Sequence, residues 1–96
     1  MKFEWDDNKN KLNIRKHKIS FEEASTVFLD EEALLIEDPD HSEAEDRFLI
    51  LGCATSLKLL VVCHCYRNED KMIRIISARK ATKNESKQYS EIRESW

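Results

Sequence analysis

The chain has 96 residues, 41% hydrophobic and 36% charged, with one glycine and one proline. That length predicts a single domain over 1–96 with one modest core, burying roughly 60–65% of the unfolded surface, and excludes a second independent core. The Leu, Ile, Val and Phe content excludes a disordered chain, and the scarcity of Gly and Pro excludes collagen-like and low-complexity classes.

The net charge of −3 predicts no nucleic-acid partner by itself, but the mean conceals blocks. Residues 8–21 carry five basic residues and no acid; residues 22–46 carry eleven acids and no Lys or Arg; residues 71–87 carry six basic residues against Glu85. Two basic blocks thus flank an acidic one, as solvated faces or as docking surfaces.

In chain order, Phe3–Trp5 predicts a short strand. Asp6 or Asp7 caps a first helix running to about His17, with Lys16 and His17 against its negative C-terminal end. Leu12 and Ile14 are its only large apolar residues, so it is poorly amphipathic. Ser20-Phe21-Glu22-Glu23 has the form of a capping box. It opens a second helix whose Phe21, Ala24, Val27 and Phe28 share one face and which ends near Leu29, making a helical hairpin with the first.

Leu34–Glu37 predicts a short strand stopped by the Asp38-Pro39-Asp40 turn. Arg47–Ala54, Leu57–Arg67 and Met72–Arg79 predict three longer strands in an antiparallel meander, the last two joined by the polar turn 68–71. Their continuous apolar runs predict central strands covered on both faces. Thr82-Lys83-Asn84-Glu85 is a second capping box, opening a helix whose Tyr89, Ile92 and Trp96 form a stripe for the sheet or a partner. The expected class is α+β, with the helices on one side of an antiparallel sheet.

The hairpin around 68–71 can be aligned. With Arg67 opposite Met72, Cys65 faces Arg74 and His64 faces Ile75. Strict alternation then puts Cys63, Cys65, Arg67, Met72 and Arg74 on one face, and His64, Tyr66, Ser77 and Arg79 on the other. Arg74 and Arg79 interrupt an apolar strand. They are either anion clamps, since an Arg fork matches phosphate oxygens, or partners of acids in the 37–46 segment.

Cys63-His64-Cys65 does not make a metal site in a strand, because the two thiols and the imidazole point apart. Asp38, Asp40 and His41 read as a turn rather than ligands, so neither metal nor cofactor is expected. Lys16-His17 contacts phosphate or neutralises a helix end. Tyr89, Ile92 and Trp96 read as packing residues rather than a stacking platform. No glycine loop or nucleophile elbow is present. Three cysteines without framework spacing, no signal-peptide pattern and no apolar run of ~18 residues lead to the expectation of a cytoplasmic protein without membrane contact.

Trp5-Asp6, Lys9, Asn13, Lys16-His17, Ser20-Phe21-Glu22-Glu23-Ala24 and Ile75-Ile76-Ser77-Ala78-Arg79, with Glu85 and Tyr89 beyond, resemble the BrnT family, the toxins of BrnT/BrnA type II toxin–antitoxin systems. The resemblance runs from about Lys2 to Tyr89. Lys18 departs from it, standing where the family usually has Gly after Lys-His; a left-handed helix cap is costlier there.

The resemblance implies a RelE-like fold and a ribonuclease that arrests translation. It implies a BrnA-like ribbon-helix-helix antitoxin in a heterotetramer of two toxins and two antitoxins, and operator DNA reached only through that antitoxin. Metal-free RNA cleavage uses the substrate's own 2′-hydroxyl as nucleophile, so the protein must position it, move protons and stabilise the phosphorane. On this reading Arg67, Arg74 and Arg79 supply the phosphate clamp. His64 or Tyr89 transfers protons, unless Arg and Lys electrostatics suffice alone. Lys16, His17, Lys80 and Lys83 bind the RNA. The competing reading is a non-catalytic module in a transcription-regulating complex with a DNA-binding partner. A zinc protein using Cys63 and Cys65 is a weaker third.

Overall fold

Asp6 starts the first helix by accepting the Lys9 amide at 3.3 Å, satisfying one of the amides a helix start leaves open. The computed structural model describes residues 2–36 and 47–94. Its elements are β1 (Lys2–Glu4), α1 (Asp7–His17), α2 (Phe21–Ser25) continued by a 3-10 turn (Thr26–Leu29), β2 (Leu34–Ile36), β3 (Phe48–Cys53), β4 (Leu59–Arg67), β5 (Met72–Lys80) and α3 (Lys83–Glu94). The Asp38-Pro39-Asp40 turn, His41 and Trp96 lie outside the described residues.

α1 has no apolar seam: Leu12 is 59% exposed and Ile14 41%. Asparagine amides hold it instead. Buried Asn13 donates to the carbonyls of Ile19 at 2.8 Å and Ala78 at 2.9 Å, and accepts the Ala78 amide at 3.1 Å. Asn10 accepts the Phe21 amide at 2.8 Å. The helix ends on Lys18 in the left-handed region (φ 62°), whose amide reaches the Ile14 carbonyl.

The Thr82–Glu85 capping box is complete: the Glu85 amide donates to Thr82 Oγ1 at 3.2 Å and the Thr82 amide to Glu85 Oε1 at 2.9 Å. The Ser20–Glu23 box is only half formed. Ser20 caps the Glu23 amide at 3.0 Å, but the Glu23 carboxylate turns to the Ser56 hydroxyl and to Lys58, which compete for it more strongly than one backbone amide.

The strand order is β1-β5-β4-β3-β2. β2 to β5 form the expected antiparallel meander, but β1 pairs parallel with β5, so the sheet is mixed rather than antiparallel. The helical pair carries the chain from one edge to the other, and three reversals then bring it back to β1 running the same way.

The helices also depart from expectation, covering both faces. Ile19, Phe21, Ala24 and Val27 pack on Ile50, Leu60, Val62, Ile73, Ile75 and Ala78. Tyr89 of α3 packs on Leu49, Leu51, Val61 and Cys63 on the opposite face. An apolar second face has to be removed from water, and α3 brings the aromatic that does so. β4, apolar on both sides, is the covered central strand that its composition predicts.

Asp30 fastens the edge near β2. Its Oδ2 accepts the Tyr89 hydroxyl at 2.5 Å and the Cys53 amide at 2.8 Å. Gly52 makes room for this crossing, since a Cβ there would lie 2.9 Å from Ala33 Cβ and Val27 Cγ1 and 3.2 Å from Asp30 Oδ2.

Candidate active site

The β4–β5 ladder sets the site. Arg67 pairs with Met72, Cys65 with Arg74 and His64 with Ile75, as aligned from the turn; beyond that the register shifts, and Cys63 pairs with Ser77 and Val61 with Arg79. Ile76 is the extra residue of a β-bulge, and one extra residue reverses the alternation.

The expected grouping of Ser77 and Arg79 with His64 and Tyr66 is therefore corrected. Ser77 and Arg79 lie on the face of Cys63, Cys65 and Val61, with Arg67 and Arg74. His64 lies on the other face under Phe28 of the 3-10 turn, ring centroids 4.8 Å apart. The three arginines share one face, and His64 is not among them.

The acids that hold two of these arginines are not in the 37–46 segment. Arg74 Nη1 donates to Glu4 at 2.5 Å, across the parallel β1–β5 pair. Arg79 makes a fork with Glu85, Nη1 to Oε1 at 2.7 Å and Nη2 to Oε2 at 3.0 Å, and Nη1 also reaches the Lys80 carbonyl at 3.3 Å. Those bonds hold the Glu85 carboxyl down at about 2 and push the Arg79 guanidinium up. Arg67 is exposed and has no ion-pair partner among the described residues. The sequence pattern marked Glu85 as a helix cap but gave no sign that the same carboxylate also orients Arg79.

The proton-transfer candidates are buried. His64 is 0% exposed; its Nδ1 lies 3.1 Å from the Val62 carbonyl and its Nε2 3.3 Å from the Tyr66 hydroxyl. A carbonyl only accepts, so Nδ1 carries the proton and Nε2 accepts from Tyr66. Burial lowers the His64 pKa, against the backbone bond that raises it; burial, with Asp70 nearby, raises that of Tyr66. Tyr89 is 5% exposed and bonded to Asp30.

Lys16 is exposed and His17 half-buried at the end of α1; Lys80 and Lys83 are exposed at the end of β5 and the start of α3. Cys63 and Cys65 share a face that His64 does not. Among the described residues no His, Cys, Asp and Glu side chains cluster as a metal centre would need, and no helix is long and apolar enough to cross a membrane.

Residues 5–85 match the family model described as "Ribonuclease toxin, BrnT, of type II toxin-antitoxin system". The chain belongs to the BrnT family. This family is named for ribonuclease toxins, and membership of a type II system implies an antitoxin partner. No curated protein matches the sequence. Among solved structures, the crystal structure of the Brucella abortus ribonuclease toxin BrnT is similar, with 24% identity, a TM-score of 0.66 and coverage of 86% of this chain and 99% of that one. At that identity the likeness speaks for the fold: the mixed five-stranded sheet and three helices are a BrnT architecture.

Proposed function

We propose that this BrnT chain is a cytoplasmic, metal-independent endoribonuclease, a single toxin domain of RelE-like fold that cuts RNA and inhibits translation. The observation that carries the reading is the row that Arg67, Arg74 and Arg79 make along one sheet face, roughly 20 Å from end to end at about 3.3 Å per strand residue, which suits successive phosphates of one RNA strand. A guanidinium fork matches a phosphodiester in a way that a solitary ammonium does not.

In this mechanism the substrate's 2′-oxygen attacks its own phosphorus. The O2′–P bond forms, the P–O5′ bond breaks, one proton leaves the 2′-oxygen and one arrives at the 5′-oxygen, leaving a 2′,3′-cyclic phosphate and a 5′-hydroxyl. Arg79 stabilises the charge on the phosphorane, and Arg74 and Arg67 hold neighbouring phosphates of the strand. Arg67, exposed and without an ion-pair partner among the described residues, meets the RNA backbone at the hairpin end of the row. Arg74 and Arg79 stand oriented by Glu4 and Glu85. The burial of His64 and Tyr89 supports electrostatic catalysis with solvent carrying the protons, rather than direct transfer by either side chain. Lys80 and Lys83 draw in the RNA strand near Arg79, while Lys16 and His17 on α1 add attractive field from the helical-pair side.

The partner is proposed to be a BrnA-type ribbon-helix-helix antitoxin, two copies with two toxins, through which operator DNA is reached. One observation favours the second reading, a non-catalytic module in a transcription-regulating complex: Arg74 and Arg79 are already ion-paired. Digestion of single-stranded RNA by the purified chain in EDTA, with Arg79→Ala alongside and the product ends identified, separates the two. Cleavage by wild type alone, ending in 2′,3′-cyclic phosphate, is expected. A folded wild-type chain that cuts nothing overturns the ribonuclease.

A further inference from the structure

The bulge at Ile76 has a chemical result beyond moving Arg79. Without it, Ser77 would point to the face packed under α2, with Val62 and Ile75. With it, Ser77 sits opposite Cys63 on the arginine face, next but one to Arg79. Two strand residues span about 7 Å, so a phosphate between them is within reach of both side chains. Bulges commonly re-aim a side chain beside an active site.

The surroundings leave donors available there. Of the five N–H groups of a guanidinium, Glu85 takes two and the Lys80 carbonyl one, so among the described residues two on Arg79 have no acceptor. Glu85 fixes the plane in which they point. Ser77 is exposed and has no side-chain partner among the described residues. Its neighbour Ile76 is half-buried against the core beneath α3, so the backbone carrying the hydroxyl is anchored. The result is a rotatable O–H donor beside an oriented guanidinium, both reaching solvent past the part of this face that α3 covers.

We infer that Ser77 donates a hydrogen bond to a non-bridging oxygen of the scissile RNA phosphate, completing with Arg79 the cradle that holds it. This rests on the ribonuclease reading and adds a substrate contact to it. The serine forms no covalent bond; it neutralises charge that grows on the phosphorane oxygens, so its effect falls on kcat more than on KM.

The test compares Ser77→Thr with Ser77→Val, two β-branched side chains of one shape that suit an exposed strand and differ by the hydroxyl. Cleavage of a single-stranded RNA oligonucleotide is followed in EDTA, with thermal melting alongside. Ser77→Thr is expected within a few-fold of wild type. Ser77→Val is expected about 10- to 100-fold lower in kcat, the worth of a hydrogen bond to a charged group, with the same melting temperature. Equal cleavage by Thr and Val variants overturns the inference while leaving the ribonuclease intact. Loss in both variants at unchanged melting also overturns it, because shape and not the hydroxyl would then matter. A wild-type chain that cuts nothing removes the ribonuclease reading first, and this inference with it.

Discussion

Arg79 and Glu85 are joined by two parallel hydrogen bonds, 2.7 and 3.0 Å long, and the same carboxylate caps α3 by accepting the Thr82 amide. One acid therefore sets both the start of the last helix and the plane of an arginine on the sheet. A displaced α3 would leave Arg79 free to rotate.

That coupling gives a pH dependence. The folded Glu85 carboxyl titrates at about 2, below its ordinary 4.5. Its stabilisation is therefore fully present above pH 4.5 and is lost as pH falls through about 2. Urea midpoints should show Glu85→Gln less stable than wild type by about 1–2 kcal/mol near pH 6, a figure kept small because the pair is partly solvated. The gap should close as the pH approaches 2; a gap of the same size at both pH values would contradict the pairing.

Arg67 offers a different kind of evidence, because it is exposed and has no ion-pair partner among the described residues. Arg67→Ala should weaken binding of a non-cleavable 2′-O-methyl RNA to a similar degree whatever its sequence. It should also lower the slope of log K against log salt by about 0.7, the loss of one phosphate contact on a single strand. Stability should change by less than about 0.5 kcal/mol. An unchanged salt slope would remove Arg67 from the RNA path.

The hairpin register could be aligned from the sequence as far as His64–Ile75 because a polar four-residue turn pins it. It failed beyond because Ile75-Ile76 is apolar at both positions in a sheet buried on both faces. An inserted apolar residue leaves no polar mark there, so strict alternation carried Ser77 and Arg79 to the wrong side. The parallel β1 was hidden for another reason: three residues are too few to show a period, and the residues they pair with lie some seventy positions away. Asn13 gave no signal in a polar helix. Its partners are backbone groups, which carry no sequence identity.

Asn13→Ala tests how α1 is held. It strands the Ala78 amide and the carbonyls of Ala78 and Ile19, so denaturation should show a loss of about 3 kcal/mol. Leu12→Ala, in the same helix but exposed, should stay within about 0.5 kcal/mol. The polar residue of α1 is thus expected to matter more than its leucine.

Lys18→Gly should raise stability by about 0.5–1 kcal/mol. Its left-handed backbone (φ 62°) disfavours a side chain with a Cβ, and glycine adopts it freely. Thermal melting checks this; a lower melting temperature would mean that the Lys18 side chain makes a contribution the backbone argument omits.

The parallel β1–β5 pair has a consequence for how the protein comes into being. Glu4 is made seventy residues before its partner Arg74. The edge strand must wait through the synthesis of everything between them. Most of the sheet can close from neighbouring strands as they emerge, but the arginine face acquires its final geometry last. Pairing across so long a stretch is slow to form, so a nascent chain carries the arginines well before it holds them in a site.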